Sequence, residues 1–340
     1  MRGLSEILSG SLEATGAGGV LCAISRKGGI TTHSSGNITV AEHGRPFYIY
    51  SISKSLAATA VMMLSEQRGG LLDERLLDLM PELLDKSYGE MIPSEVTVRQ
   101  VLNHSSGLSD YFSQKEYQEA VHTHPEKPWT YEKLMEVGLK NTPLFPPGEG
   151  WMYSNPGYAL IKELIAHLGG MTDEEWMAKH ILEPLGLADT RYFKQLDTSG
   201  CLLPGNDPEM DGDFRARYHP GWIATGCFIS TVSDVVRFYD GLFSNKLVNA
   251  DSLAEMTSVV DLSYPLKPPS TAAYGLGLMH AKNHPLGKSY GHGGGGPGYT
   301  TYAQHYPEKN LSLAMVWNRS IPQTPFDWAD EVVCSLKYSV

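Results

Sequence analysis

Several features that would assign a function quickly are scarce in this chain of 340 residues. Its four cysteines, Cys22, Cys201, Cys227 and Cys334, lack CxxC spacing, which predicts free thiols rather than a disulfide frame or a zinc site. No run of about 20 apolar residues occurs, so the sequence predicts no membrane span. No dense Lys or Arg run exists and the net charge is -11, which argues against nucleic acid as a partner.

The N-terminal sequence also lacks the apolar core of a secretory signal, because polar residues stand where that core would lie. We therefore expect a cytoplasmic protein, unless a leader has been removed. The content of 41% hydrophobic and 19% charged residues is ordinary for a globular protein. The length allows one large domain or two interleaved ones.

Strand-like segments lie towards both ends of the chain, and helical segments lie in the middle. Residues 19–25 and 29–35 predict a hairpin, and residues 51–68 predict a helix that ends at a Gly-Gly pair. Residues 71–194 are Leu-rich and helical, and the polar stretch 197–216 resembles a return linker. Further predicted elements are helices over 231–243 and 326–338 and strands over 274–279, 288–291, 299–305 and 311–317.

This distribution predicts one antiparallel sheet assembled from distant parts of the chain. We expect residues 1–70 and 215–340 to form a discontinuous sheet domain. Residues 71–214 would then form a helical insert.

The first candidate site is Ser51-Ile-Ser-Lys54, at the predicted change from strand to helix. Its spacing places a hydroxyl and an amine one helical turn apart, so a desolvated Lys54 amine can activate Ser51 as a nucleophile. Unpaired N-H groups at a helix start can stabilise an oxyanion. The tetrapeptide alone is a weak signal, because ordinary cap and surface residues give the same pattern.

The second cluster is Tyr153-Ser-Asn155, which follows a Pro-Pro-Gly turn and precedes a helix predicted near Tyr158. A phenol can shuttle a proton if neighbouring cations lower its pKa, and the Asn155 amide can hold a lysine or a substrate carbonyl. The alternative is a tyrosine packed at a helix entry with an asparagine in the turn.

The third cluster is the glycine-rich segment from Gly291 to Gly298. A phosphate-binding loop is excluded because no GK[ST] follows and the segment leads into a strand. Glycines at a strand edge let a ligand backbone approach closely, and His292 would supply a proton or a positive field. The alternative is a flexible loop with a solvated histidine.

Together the three clusters resemble the serine β-lactamase and penicillin-binding protein-like family. The match is to the branch of class C β-lactamases, D,D-peptidases, D-aminopeptidases and β-lactamase-like esterases. Residues 97–110, 182–187 and 225–234 resemble further landmarks of this branch. The resemblance implies an α/β fold of the α+β type, in which an antiparallel sheet is flanked by helices and carries an inserted all-helical domain.

The resemblance also implies an acyl-enzyme mechanism that needs no metal or organic cofactor. Ser51 would attack a carbonyl, and Lys54 and Tyr153 would share its proton, each lowering the pKa of the other. Asn155 would position Lys54, and His292 would complete the catalytic set. The N-H groups of Ser51 and Gly295 would form the oxyanion hole, and the candidate substrate contacts are Gly293, Gly294, Gly295, Tyr111 and Trp222.

One departure from the family pattern bears on the substrate. His292-Gly-Gly294 stands where many β-lactamases carry Lys-Thr-Gly, so the lysine and hydroxyl that engage a substrate carboxylate are missing. We therefore expect a serine hydrolase of a small ester, amide or D-residue peptide. The alternatives are a D,D-carboxypeptidase or β-lactamase, and a catalytically silent scaffold of penicillin-binding type. Acyl transfer and the oligomeric state stay open.

Overall fold

The protein is described from a computed structural model, which covers residues 2–26, 28–210, 213–259, 272–281, 286–322 and 326–336. The strands are β1 (Gly19–Arg26), β2 (Gly29–Gly36), β3 (Phe47–Tyr48), β4 (Arg191–Tyr192), β5 (Phe228–Ser230), β6 (Ala272–Tyr274), β7 (Met279–Ala281), β8 (Ser289–Gly296), β9 (Tyr299–Tyr306) and β10 (Leu311–Trp317). The helices are α1 (Leu4–Thr15), α2 (Ser53–Arg68), α3 (Leu76–Leu79), α4 (Val98–Leu102), α5 (Lys115–Thr123), α6 (Tyr131–Leu139), α7 (Asn155–Gly169), α8 (Asp173–Met177), α9 (Glu183–Leu185), α10 (Val232–Phe243), α11 (Ala250–Thr257) and α12 (Phe326–Ser335).

Seven strands form one antiparallel sheet in the order β2-β1-β10-β9-β8-β7-β6. The pairing of β1 with β10 joins segments near the two ends of the chain, since Val20 of β1 lies opposite Trp317 of β10. A smaller sheet has the order β3-β5-β4. The α/β fold with an antiparallel sheet and flanking helices is thus confirmed.

Strands β1 and β10 are buried on both faces of the sheet, and their side chains alternate between those faces. One face places residues such as Val20 and Met315 against α1 and α12. The opposite face places Leu21 and Val316 against α10. Each large apolar side chain that is buried in this way contributes roughly 1.5–3 kcal/mol to folding.

Helix α2 lies in the interior, between the sheet and the helical middle of the chain. Every residue from Ser53 to Met62 is buried, which is typical of a helix enclosed on all sides. It packs on α7 and α8 on one side and on β8 on the other. This position brings the start of α2 to the junction of sheet and helices.

The predicted strand over residues 274–279 is wrong. Strand β6 ends at Tyr274 and β7 begins at Met279, and the chain turns between them. Gly277 has φ +68° there, and a Cβ at this position would lie 2.8 Å from the Lys54 carbonyl oxygen. The glycines that looked compatible with a strand therefore form a tight turn against α2. Helices α1 and α11 and the strands β4 and β5 of the small sheet had not been predicted, whereas β3 is the predicted strand before Ser51.

The described strands of the large sheet come from residues 19–36 and 272–317, and residues 76–185 supply helices. Strand β4 lies within the predicted insert and pairs with β5. The division into a discontinuous sheet domain and a helical insert stays a prediction. Within the described ranges, no helix is both long and apolar enough to cross a bilayer.

Candidate active site

The turn that carries Ser51 joins β3 to α2 and holds its neighbour Tyr50 at φ +48°. A bulky residue in this left-handed region costs about 1–3 kcal/mol, so the surroundings must hold it in place. The Tyr50 hydroxyl donates a hydrogen bond to the Pro297 carbonyl, and its ring lies against Gly296. Ser51 is half-buried. The turn therefore presents a partly accessible hydroxyl from a fixed backbone.

Lys54 lies one helical turn further on, with its side chain in the interior and 2% of its surface exposed. Its Nζ donates to Ser51 Oγ at 3.4 Å and to Asn155 Oδ1 at 2.7 Å. Burial lowers the Lys54 pKa to about 7, although the Asp110 charge opposes this shift. A large fraction of Lys54 is consequently the free amine near neutral pH, which is the form that can accept a proton.

Tyr153 completes this group, since its ring lies 4.8 Å from Lys54 Nζ. Burial raises the pKa of its hydroxyl well above the ordinary value, and hydrogen bonding by Ser51 only partly opposes the shift. Among the described residues the hydroxyl has no hydrogen-bond partner of regular geometry. The expectation that Lys54 and Tyr153 lower each other's pKa is therefore wrong, because burial raises the pKa of Tyr153 and burial, rather than Tyr153, lowers the pKa of Lys54.

The segment before α7 is held by the loop that follows α4. The His104 carbonyl accepts from Met152 N at 3.0 Å, and His104 Nδ1 accepts from Ser154 N at 3.1 Å. The Ser154 hydroxyl donates to Ser109 O and accepts from Gly157 N, so it caps α7. The helix begins at Asn155, three residues earlier than predicted. These bonds fix Tyr153 at a helix entry.

Strand β8 approaches the Ser51 turn along its glycines. A Cβ on Gly294 would lie 2.6 Å from the Ile49 carbonyl oxygen and 3.1 Å from Ser51 N. A Cβ on Gly295 would meet no described atom within 4 Å. Gly293 is paired with Tyr302 of β9. Among the described residues, the pairing of β8 with β7 extends from Ser289 to Gly291, which leaves the later part of β8 free to face the turn.

His292, on the same strand, is fully buried, so it is not the solvated histidine of a flexible loop. Its Nδ1 bonds the Gly293 carbonyl, and its Nε2 lies 2.9 Å from the Tyr274 hydroxyl. Burial lowers its pKa to about 3, with a contribution from Lys54. The prediction that His292 supplies a positive field is therefore wrong, because its imidazole is neutral at neutral pH.

Similarity to known proteins agrees with this geometry. The family described as Beta-lactamase matches residues 4–333. The chain belongs to the Beta-lactamase family.

This family member is 27% identical over 290 residues to penicillin-binding protein 4* of Bacillus subtilis (strain 168), which covers 80% of this chain and 60% of that protein. It is 29% identical over 199 residues to lovastatin esterase of Penicillium rubens, which covers 52% of this chain and 49% of the esterase. The chain thus spans half to three fifths of the length of these curated relatives.

The solved structure of a D-stereospecific amidohydrolase from Streptomyces sp. superposes on this family member with a TM-score of 0.81. The two chains are 26% identical, and the match covers 99% of this chain and 98% of the amidohydrolase. The similarity therefore includes the whole described fold around Ser51.

The two aromatic residues proposed to contact substrate lie elsewhere in this Beta-lactamase family chain. Tyr111 and Trp222 are each 0% exposed. Both pack on Tyr117, with ring centroids at 4.8 and 5.7 Å, and Trp222 Nε1 donates to the Pro125 carbonyl at 2.9 Å. They belong to a closed aromatic cluster of the core, and we no longer propose them as substrate contacts.

Two residues beside the candidate site were missed in the sequence. His104 is fully buried at φ +64°, and its ring lies 4.3 Å from the Tyr153 ring. Asp110 is 8% exposed and accepts from Asn155 Nδ2 at 2.9 Å. Both belong to residues 97–110. This segment resembles a landmark of the family, but the resemblance did not indicate which of its residues would lie beside the site.

Proposed function

We propose that this chain is a serine hydrolase that acts through a Ser51 acyl-enzyme. The observation that carries the proposal is the buried Lys54 amine, which lies 3.4 Å from Ser51 Oγ and has its pKa lowered to about 7. A serine hydroxyl needs such a base because it is too weakly acidic to attack a carbonyl alone.

In the proposed acylation, Lys54 takes the Ser51 proton while Ser51 Oγ bonds to the substrate carbonyl carbon. The oxyanion that forms is held by the N-H groups of Ser51 and Gly295. The high pKa of Tyr153 keeps its hydroxyl protonated, so Tyr153 donates the proton that the leaving oxygen or nitrogen needs. The Lys54 ammonium then returns a proton to Tyr153, and the leaving group departs.

Deacylation repeats these steps with water. Lys54 takes a proton from water as the water oxygen attacks the acyl carbon. Collapse of the second tetrahedral intermediate breaks the bond to Ser51 Oγ, which recovers its proton. The products are the acid and the free enzyme. Asn155 holds Lys54 in place throughout, through its 2.7 Å hydrogen bond.

We propose that the substrate is an ester, an amide or a D-residue peptide without a carboxylate at the position facing His292. A neutral His292 offers no charge to bind such a carboxylate, since its pKa is lowered to about 3. A D-stereospecific amidohydrolase and a lovastatin esterase among the similar proteins support amide and ester substrates respectively. Membership of the Beta-lactamase family keeps β-lactamase activity, and similarity to the D-alanyl-D-alanine-carboxypeptidase/endopeptidase AmpH of Escherichia coli (strain K12) keeps D,D-carboxypeptidase activity, as the second candidate.

A fluorophosphonate probe tests the nucleophile directly. We expect a mass adduct on Ser51 in the wild type and none in Ser51→Ala. Failure to label the wild-type Ser51, or equal turnover by Ser51→Ala, would remove the enzyme proposal. A catalytically silent scaffold would give that result.

A substrate panel then separates the enzyme candidates. Short p-nitrophenyl esters, D-alanine p-nitroanilide, L-alanine p-nitroanilide and nitrocefin should be compared with the same enzyme preparation. We expect turnover of an ester or of the D-anilide to exceed that of nitrocefin. Dominant nitrocefin turnover would reverse this order and favour β-lactamase activity.

A further inference from the structure

Asp110 is a buried carboxylate beside the candidate site. Its Oδ2 accepts from Asn155 Nδ2 at 2.9 Å, and its Oδ1 accepts from Phe112 N at 3.1 Å. Both donors are neutral amides. A buried carboxylate without a cation in direct contact costs stability, so packing alone does not account for a charged residue at this position.

The cation that acts on Asp110 is Lys54, on the other side of the Asn155 side chain. The Asn155 amide donates through Nδ2 to Asp110 and accepts through Oδ1 from Lys54 Nζ. An ionised carboxylate only accepts and an ammonium only donates, so this chain of bonds fits one orientation of the amide. Asp110 thereby selects which end of Asn155 faces Lys54.

The other groups around Lys54 carry no negative charge at neutral pH. Tyr153 and Tyr158 present their rings at 4.8 and 5.3 Å from Nζ, and burial keeps both phenols protonated by raising their pKa. His104 and His292 are neutral, since burial lowers the pKa of each. Within the described residues, Asp110 is the carboxylate whose charge acts on Lys54.

We propose that Asp110 is a positioning residue, which acts through Asn155 to place the Lys54 amine beside Ser51 and to stabilise its protonated form. The proposal rests on the proposed function, in which Lys54 is the base. It adds a fifth group to Ser51, Lys54, Tyr153 and Asn155, and this group has no contact with the reacting atoms. Its effect should therefore appear in the protonation of Lys54 rather than in substrate binding.

The test is the titration of Lys54, followed by NMR of protein labelled with ¹³C at the lysine Cε. Asp110→Asn keeps the shape of the side chain and removes its charge. Asp110 and Lys54 are separated by the Asn155 amide, so loss of the Asp110 charge should lower the Lys54 pKa by about 0.5 to 2. The acid limb of kcat/KM should move to lower pH by the same amount, with KM little changed.

The matched control is Asp73→Asn, which makes the same change of charge at the surface. Asp73 pairs with Arg99 there, and we expect the Lys54 titration to match the wild type. An unshifted Lys54 titration in Asp110→Asn would overturn the proposal, even if activity fell at every pH, because a purely structural role predicts such a uniform loss.

The wild type supplies a second measurement that needs no variant. Burial raises the Asp110 pKa to about 6, so its protonation should produce a separate inflection near pH 6 in the Lys54 resonance. A Lys54 resonance that does not move at the pH where the Asp110 carboxyl itself is seen to titrate would contradict the proposal. Labelling of Ser51 by fluorophosphonate in the same samples distinguishes the two ideas: a shifted Lys54 without labelling removes the hydrolase and leaves the Asp110-Lys54 coupling intact.

Discussion

Gly294→Ala tests the close approach of β8 to the nucleophile turn. The added methyl group would lie 2.5 Å from Thr301 Oγ1, 2.6 Å from the Ile49 carbonyl oxygen and 3.1 Å from Ser51 N. Two of these neighbours are backbone atoms, which cannot rotate away as the end of a side chain can. Removal of this steric overlap requires β8 and the turn to separate. Overpacking of this kind costs about 1–3 kcal/mol of stability.

The same separation should impair the candidate oxyanion hole. Ser51 N is one of its two proposed donors, and loss of one such donor lowers kcat by roughly 10²–10³-fold in other acyl-transfer enzymes. We therefore expect Gly294→Ala to lower both the melting temperature and the rate of Ser51 labelling by a fluorophosphonate. Thermal denaturation followed by circular dichroism and time-resolved intact mass would measure these two quantities.

Gly295→Ala is the matched control for stability. Its methyl group would meet no described atom within 4 Å, so we expect its unfolding free energy to stay within about 0.5 kcal/mol of the wild type. A Gly294→Ala protein as stable and as fast as the wild type would refute the close approach described here.

Three further predictions follow from the site. With a neutral ester, kcat/KM should fall as the pH drops below about 7, since protonation of Lys54 removes the base. A kcat/KM that stays unchanged down to pH 5 would contradict this. Tyr153→Phe should reduce anilide turnover about 10²–10⁴-fold through loss of the proton donor, with an unchanged melting temperature; undiminished turnover would exclude that role. Trp222→Phe should destabilise the protein by about 1 kcal/mol through loss of its bond to Pro125, and an altered substrate ranking would return Trp222 to the site.

Local patterns were sufficient to predict the regular elements that carry the site. Periodicity and the Gly69-Gly70 pair located α2 to within two residues of its observed start at Ser53, because helix ends have local signals. The hairpin of β1 and β2 was likewise predicted within a residue. The three motifs on α2, α7 and β8 meet in space as the family resemblance implied.

The missed features depend on contacts between distant segments. Tyr274 and Met279 flank a turn because Gly277 packs on α2, and no property of residues 274–279 alone reveals that contact. Trp222 resembled a pocket wall in the sequence, yet its neighbours Tyr117 and Pro125 enclose it. His292 is neutral because distant segments bury it, and burial of this kind cannot be read from the sequence.

The energetics of Lys54 and Asp110 argue against a purely structural role for the pair. Burial lowers the Lys54 pKa from 10.5 to about 7, so stability falls as the pH drops through that window and the full cost is present below it. Burial raises the Asp110 pKa from 3.8 to about 6, so stability falls as the pH rises through that range. Between about pH 6 and 7 the fold therefore carries both costs, which the attraction between the two groups offsets only in part. A scaffold without chemistry would be more stable with an apolar pair at these positions, whereas a base that must lose its proton near neutral pH requires this burial.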